Sequence, residues 1–496
     1  MAFKHSLGLS FEVNLTFLII VTIVFNGAIA GDVLVSTEEQ LKAAITAAAP
    51  GDEILIQDGT FRDWRIRFRG FGTAMQPITL KAQTPGGVKL TGYTRVEISG
   101  SHLVVSGFRF ENAHSTGHAS IVELRGGDRC RLTECSFINC GDPESTFTRT
   151  INLAYGSRHG RVDHCFMTGT LSMGMGAVVR DSDAGRGNTD NRFDHNYFRD
   201  IRRLSSNGQE PIQLGQDQTA FGAVSLRTIV EYNLFEHASG DSEIISNKSA
   251  DNIIRYNTLR DSKAGIWLRG GQNVLVEGNY CLRTRGIHVY GNGHTIVNNY
   301  LEETEYGICL HAGQYHAGEF MSREVFGSYQ VASDVLAAHN TIVNPRGVGI
   351  SLGSYRGQKH KGVERKLLPR RVRFVNNLIT GQTGILINDE GGRNVEWLSN
   401  LAWPLGDAQV GLSHPGIVKA DPKLTRHGIR FLPGPNSPVR DAGTSLPEVV
   451  TDYSSHKRTG LSDIGSDEVT RGEIIRRALQ PIDVGPSWIK ANSMLP

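Results

Sequence analysis

What most restricts the fold of this chain is a short run that returns along its length with the same residue in the same place. It reads RVDHCFMTG around Cys165, FDHNYF around Asn196, VEYNLF around Asn233, IRYNTL around Asn257 and VEGNYC around Asn279. It continues as IVNNYL around Asn299, AAHNTI around Asn340 and FVNNLI around Asn377. The successive steps are 31, 37, 24, 22, 20, 41 and 37 residues, so the unit is a coil of twenty-odd residues and the longer steps carry insertions. A unit that short cannot bury an apolar face alone and has to stack on its neighbours. The period therefore predicts an all-β solenoid, a parallel β-helix. The repeated Asn is expected to face inward at a turn, its amide bonding the backbone and the next Asn. Cys135 and Cys165 hold the same register as small buried substitutes.

A second segment follows each Asn by seven to nine residues: GIWLRGG at Gly265, GIHVYGN at Gly286, GICLHAG at Gly307, GISLGS at Gly349 and GILIND at Gly384. Alternation along a strand puts Ile266, Leu268, Ile287, Val289, Ile308 and Leu310 inside. Trp267, Arg269, His288, Tyr290, Cys309 and His311 then point outward, and stacking lines them up as an aromatic and basic ribbon.

The ends of the chain differ from this middle. Lys4 and His5 precede an apolar run of about a dozen residues from Leu15 to Phe25, and Ala28-Ile29-Ala30 has the small-x-small pattern of a cleavage site before Gly31. Residues 1–30 read as a signal peptide, and the mature chain is expected to be secreted or periplasmic, with no membrane association once the leader is removed. Ser36-Thr37-Glu38-Glu39 forms a capping box, and Leu41, Ala44, Ile45 and Ala48 follow at helical spacing, so one short helix is expected to begin the mature chain. The solenoid is expected over 31–400. Residues 401–496 are expected to form a C-terminal extension packing on it, ending in a helix around Gly472 to Leu479.

Lys plus Arg is 52 against 50 for Asp plus Glu, a formal net charge of +2. No global field draws the chain to nucleic acid or membrane, so a polyanionic partner has to meet a local basic groove. The six cysteines, Cys130, Cys135, Cys140, Cys165, Cys281 and Cys309, include no CxxC pair, which argues against a zinc site. They are either buried thiols or include one bridge such as Cys130 to Cys140.

The coil before the ribbon breaks the pattern at GDSEIISNKS. Asp241 and Glu243 lie two apart, so on a strand they share the outward face and repel unless a cation sits between them. Oxygen donors suit calcium, and Asn207 and Glu210 of NGQEPIQLG offer more from the previous coil. Lys248 and Arg269 are 21 residues apart, about one coil, which brings two cations together on that face. An ammonium beside a metal and a guanidinium has a lowered pKa, which suits Lys248 to act as a general base.

The run from SEIISNKSADN through GIWLRGG, preceded by NGQEPIQLG and followed by GIHVYGNGHTIVNNY, resembles polysaccharide lyase family 6, which contains alginate lyases and chondroitinase B. The resemblance extends from LKAAITAAAPGDEILIQDGTF to DIGSDEV and is most specific between Asn207 and Asn299. It implies a right-handed parallel β-helix that cleaves uronate polysaccharide by β-elimination, with calcium neutralising the substrate carboxylate. It further implies calcium ligands at Asn207, Asp241 and Glu243, a base at Lys248, and Arg269 as acid or charge partner. Glu210, Trp267, His288, Tyr290 and His311 are the expected substrate-binding residues. Two positions depart from the family pattern: Gly270 stands where a His usually follows the Arg, and Asp241 where a Glu is common. Alginate is the expected substrate, with dermatan sulfate, as for chondroitinase B, as the alternative. Outside lyases, a pectin hydrolase needs paired Asp residues that the outward column does not offer, the motif expected of alginate epimerases is absent, and a non-catalytic carbohydrate-binding module has no use for Lys248 beside a metal site.

Overall fold

A computed structural model describes residues 31–117, 119–177, 188–217, 222–316, 328–458, 460–469 and 476–491. The signal-peptide segment 1–30 lies outside the described residues.

Most coils contribute one strand to each of three long parallel sheets of 14, 14 and 12 strands. The coil around Asn257 is typical: Ile253–Arg255 joins the first sheet, Thr258–Arg260 the second and Gly265–Leu268 the third. The expected parallel β-helix is thus present, and pairing continues past the last sequence repeat through Asn400–Pro404 and Ile417–Val418.

The repeated Asn sits at the tight corner between the first and second sheets. The residue before it takes a left-handed backbone, φ +57° at Tyr256 and at Asn298, and +60° at Gly278, which turns the chain without spending a longer loop. Each Asn side chain then serves the coil beside it. Asn279 Oδ1 accepts from the backbone N–H and the side-chain amide of Asn257, both at 3.0 Å, while its own amide donates to Ile254 O and to Asn299 Oδ1. The ladder runs from Asn196 to Asn377 as expected and extends one rung further to Asn400. Cys165 joins it through its backbone N–H, which donates to Asn196 Oδ1. All six cysteines are buried free thiols, so no Cys130–Cys140 bridge forms.

Within the solenoid the inward residues stack by type. Ile212, Ile245, Ile266, Ile287, Ile308 and Ile350 pair strand to strand down the third sheet, and all are fully buried. Burial of side chains of this size contributes about 1.5–3 kcal/mol each, so coils are held mainly by their neighbours. The N-terminal helix, Glu38–Ala47, is capped by Thr37, whose hydroxyl accepts from Gln40 N. Its Leu41 is buried, and Ala44, Ile45 and Ala48 pack beside it on the open end of the core.

The chain after the solenoid makes a hairpin, Leu424–His427 with Arg430–Pro433, and then returns along the second sheet. Val439 and Ile464 pack on Leu378 and Leu401, Tyr453 and Ala478 on Tyr280 and Tyr300, and Val484 on Tyr197 and Leu234. Of the helix expected at 472–479, residues 472–475 lie outside the described residues. Residues 476–479 are not helical; a short 3-10 turn, Pro481–Asp483, and a helix, Ser487–Ala491, follow instead. The extension covers the second sheet and leaves the outer face of the third sheet to other uses.

Replacing Asn279 by Ala removes four hydrogen bonds from a buried corner. The expected loss is about 1–3 kcal/mol of stability, read as a lower denaturation midpoint with the rate per folded molecule unchanged.

Candidate functional site

The third sheet presents its outward residues in one continuous register. Gln213 pairs with Ser246, Ser246 with Trp267, Trp267 with His288, and His288 with Cys309. The rings on this column stack as the alternation predicts, Trp267 on His288 at 4.0 Å between centroids and 5° between planes. His288 lies 5.1 Å from His311, which stacks at 4.5 Å on Tyr290.

The ribbon is outward from the sheet and yet covered. His288, Tyr290 and His311 are each 1% exposed. Tyr329 stacks on Tyr290 at 4.5 Å, Tyr355 on His311 at 4.7 Å, and the Arg365 guanidinium lies 4.5 Å above the Tyr329 ring. Tyr329 belongs to the long insertion between Asn299 and Asn340, while Tyr355 and Arg365 come from the loop after Val348–Ser354. Burial drives the His288 imidazole down to about 3, with Arg285 adding to the effect, and holds His311 well below its ordinary value. Both rings are therefore neutral at physiological pH, joined by a His288 Nδ1 to His311 Nε2 hydrogen bond of 3.0 Å.

Lys248 and Arg269 immediately follow Glu243–Asn247 and Gly265–Leu268, and Asn247 pairs with Leu268. The two cations thus occupy the same position on successive rungs, about 4.8 Å apart along the sheet. The local fold holds them there: the Lys248 N–H donates to Leu214 O, the Arg269 N–H to Asn247 O, and the Asn247 amide to Ser249 O and Gly270 O.

The outward face on which Lys248 and Arg269 were expected is a covered one. Their side chains are only 9% and 15% exposed, because carboxylates and Tyr329 enclose them. Lys248 Nζ is 3.6 Å from Glu210 Oε1. Arg269 Nη1 donates to Glu243 Oε1 at 2.9 Å, and Nη2 donates to the Tyr329 hydroxyl at 2.7 Å. Burial above all lowers the Lys248 pKa; Glu210 opposes this and Arg269 reinforces it. The direction matches the sequence expectation, but burial leads. For Arg269, burial works against the charge, and Glu243 and Tyr329 outweigh it, holding the guanidinium above its ordinary range. The pair is therefore one cation that releases its proton more readily than usual beside one that keeps it.

Asp241 and Glu243 do not share a strand. The strand begins at Glu243, Asp241 lies in the turn before it, and a bulge between Glu243 and Ile245 breaks the alternation. The turn still leaves the carboxyls close enough to interact. Burial, then Glu243, then Glu210 raise the Asp241 carboxyl to about 6. Of the three acids, Glu210 has Lys248 and Glu243 has Arg269, whereas Asp241 accepts only from Ser242. One oxygen of each, Glu210 Oε2, Asp241 Oδ2 and Glu243 Oε2, is buried without a hydrogen-bond partner. Buried orphan carboxylate oxygens are the donor chemistry of a hard cation such as Ca2+. Among the described residues no group of three or more His, Cys, Asp or Glu is placed to hold a metal ion. Asn207 is exposed on the loop leading to Glu210, and its amide makes no hydrogen bond to either acid; its carbonyl accepts from Thr146 Oγ1.

Tyr329, Arg365 and Arg149 enter the site without having been singled out from the sequence. Arg149 Nη2 donates to Gln213 Oε1 beside Lys248. It lies across Gly176, where an added Cβ would sit 2.5 Å from Arg149 Cδ.

No curated protein matches the chain. Among solved structures it is similar to a mutant of the PL6 family alginate lyase AlyGC, with 28% identity and a TM-score of 0.72 over 91% of this chain. The chain spans 60% of the length of that relative. It is also similar to a mannuronic acid specific polysaccharide family 6 lyase from human gut microbiota, with 26% identity, a TM-score of 0.67, and coverage of 79% of this chain and 91% of the other. The PL6 family polysaccharide lyase Pedsa3628 from Pseudopedobacter saltans, at 23% identity and a TM-score of 0.66 over 92% of this chain and all of the other, shares the fold. Among the described residues no helix is long and apolar enough to cross a membrane. The family model of chondroitinase B matches residues 35–400, which takes in the Asn ladder, Lys248, Arg269 and all three buried acids, and the chain belongs to that family, polysaccharide lyase family 6.

Proposed function

We propose that this chain is a secreted or periplasmic polysaccharide lyase that cleaves alginate by β-elimination. The observation that carries the reading is the Lys248–Arg269 pair on successive rungs, one cation with its pKa lowered and the other held charged. Neutral Lys248 Nζ takes the C5 proton of a uronate. The electron pair left at C5 forms the C4–C5 double bond as the C4–O bond breaks. The Arg269 guanidinium, fixed by Glu243 and Tyr329, stabilises charge on the departing oxygen, which takes its proton from water. Asp241 and Glu243, with Asn207, would hold a calcium ion. When bound, calcium neutralises the substrate carboxylate and so acidifies the C5 proton.

Alginate is preferred because two relatives above 25% identity are described as an alginate lyase and a mannuronic acid specific lyase. The match to chondroitinase B makes dermatan sulfate the second substrate to be tested. Purified protein is expected to release unsaturated products faster from mannuronate-rich or guluronate-rich alginate than from dermatan sulfate. The opposite order would reverse the substrate assignment.

A further inference from the structure

The column that passes through Trp267 starts far from it, on the first strand of the third sheet. Arg67 pairs with Glu97, Glu97 with Glu123, Glu123 with Asn152, Asn152 with Gly176, Gly176 with Gln213, and Gln213 with Ser246, which pairs with Trp267. That is seven strand spacings, about 34 Å, along one outward row. The first strand, Arg65–Phe71, reads RIRFRGF, with Ile66 and Phe68 buried and Arg65, Arg67 and Arg69 exposed on the outer face. A cavity of about 600 Å³ lies between this strand and the N-terminal helix, where Lys42, Arg65, Arg67 and Arg69 face Glu38 and Glu39.

Charge is unevenly matched along the row. The next two acids along the row already have cations: Glu97 is paired with Arg69 at 3.0 Å, and Glu123 with Arg95 at 2.6 Å and Arg125 at 3.6 Å. Among the described residues Arg65 and Arg67 form no ion pair, and both are exposed. Around this cavity Lys42, Arg65, Arg67 and Arg69 thus outnumber Glu38 and Glu39, at one end of the outer sheet face that also carries Lys248 and Arg269.

We propose that Arg65 and Arg67, with Arg69 and Lys42 beside them, form a second, non-catalytic binding site for a polyuronate chain, in line with the cleavage site. The inference rests on the lyase reading for the identity of the polymer. Carboxylates repeat along such a polymer, so a chain long enough to span this distance over the buried middle of the row meets both sites, and the second contact raises effective concentration at the first. A short oligosaccharide reaches only one of them. The site therefore favours long polymer and has no effect on the chemical step.

The test is a double variant, Arg65→Ser with Arg67→Ser, assayed on long alginate and on a purified trisaccharide. KM for the long polymer should rise on the order of threefold to tenfold, as expected from losing two exposed charge contacts, with kcat and the trisaccharide KM unchanged. The difference should shrink as salt is raised, because exposed charges are screened. An unchanged KM for long polymer, or an equal rise for polymer and trisaccharide, would overturn the proposal. Electrophoresis through gels containing alginate keeps the two readings apart, because it needs no turnover. If the wild type proves inactive on every uronate polymer, the lyase reading fails, and weaker retardation of the double variant still upholds the binding site, whereas equal retardation removes it.

Discussion

Lys248→Ala and Arg269→Ala should each lower kcat/KM on alginate by about 10²–10⁴, and the double variant should lose far less than the product of the two, because both groups act in one elimination step. The structure separates the two single variants by stability. Arg269 is buried against Glu243, and removing one partner of a buried pair costs about 3–5 kcal/mol. Arg269→Ala should therefore melt lower, and Arg269→Lys should restore much of the midpoint while remaining slow, since an ammonium cannot reach Glu243 and Tyr329 with one planar fork. Lys248 is likewise paired to Glu210, so any neutral replacement leaves that acid without its cation, and Lys248→Met, which keeps the volume, at least avoids a cavity. The rate should also rise with pH as Lys248 loses its proton. Because burial lowers its pKa, that rise falls below the ordinary lysine value and should vanish in Lys248→Met. Initial rates across pH, set beside melting curves, check all of these outcomes.

The second large effect concerns the three buried acids. Thorough chelation should abolish most activity, and Glu243→Gln should weaken calcium binding and activity together, because the site loses a carboxylate from a set with three unpartnered oxygens. Asp241 sets the pH dependence. Its carboxyl is raised to about 6 in the protein without metal, so it is protonated below that pH and charged above it. A raised carboxyl pKa means that folding is penalised once the group must ionise, and a cation beside it relieves that penalty. The upward shift of the melting point on adding calcium should thus be larger at pH 8 than at pH 5. Equal shifts at both pH values, or none with a folded protein, would remove Asp241 and Glu243 as the calcium site.

The Asn ladder and the outward column were legible in the sequence because a fixed coil length places equivalent residues in register, and the structure has them paired there. Alternation shows which face a side chain takes and says nothing of what covers it. His288, Tyr290 and His311 read as an open ribbon, but Tyr329, Tyr355 and Arg365, carried by segments without period, fold over them. Asp241 falls outside the strand that the spacing assigned to it because that strand begins only at Glu243. The final rung at Asn400 was missed because the second recurring segment fades after Asn388, although the first corner persists. The alternating arginines of Arg65–Phe71 lie outside the repeats that the sequence displays, and only the strand register joins them to Trp267.

The central claim is that Lys248 removes the C5 proton and starts an elimination. The most direct measurement is ultraviolet absorbance of the conjugated 4,5-unsaturated uronate during alginate digestion, recorded together with new reducing ends for the wild type and Lys248→Met. The account predicts absorbance rising in step with reducing ends in the wild type and near-complete loss of both in the variant. Reducing ends without absorbance, or a folded Lys248→Met that still generates the unsaturated product at a substantial rate, would contradict it.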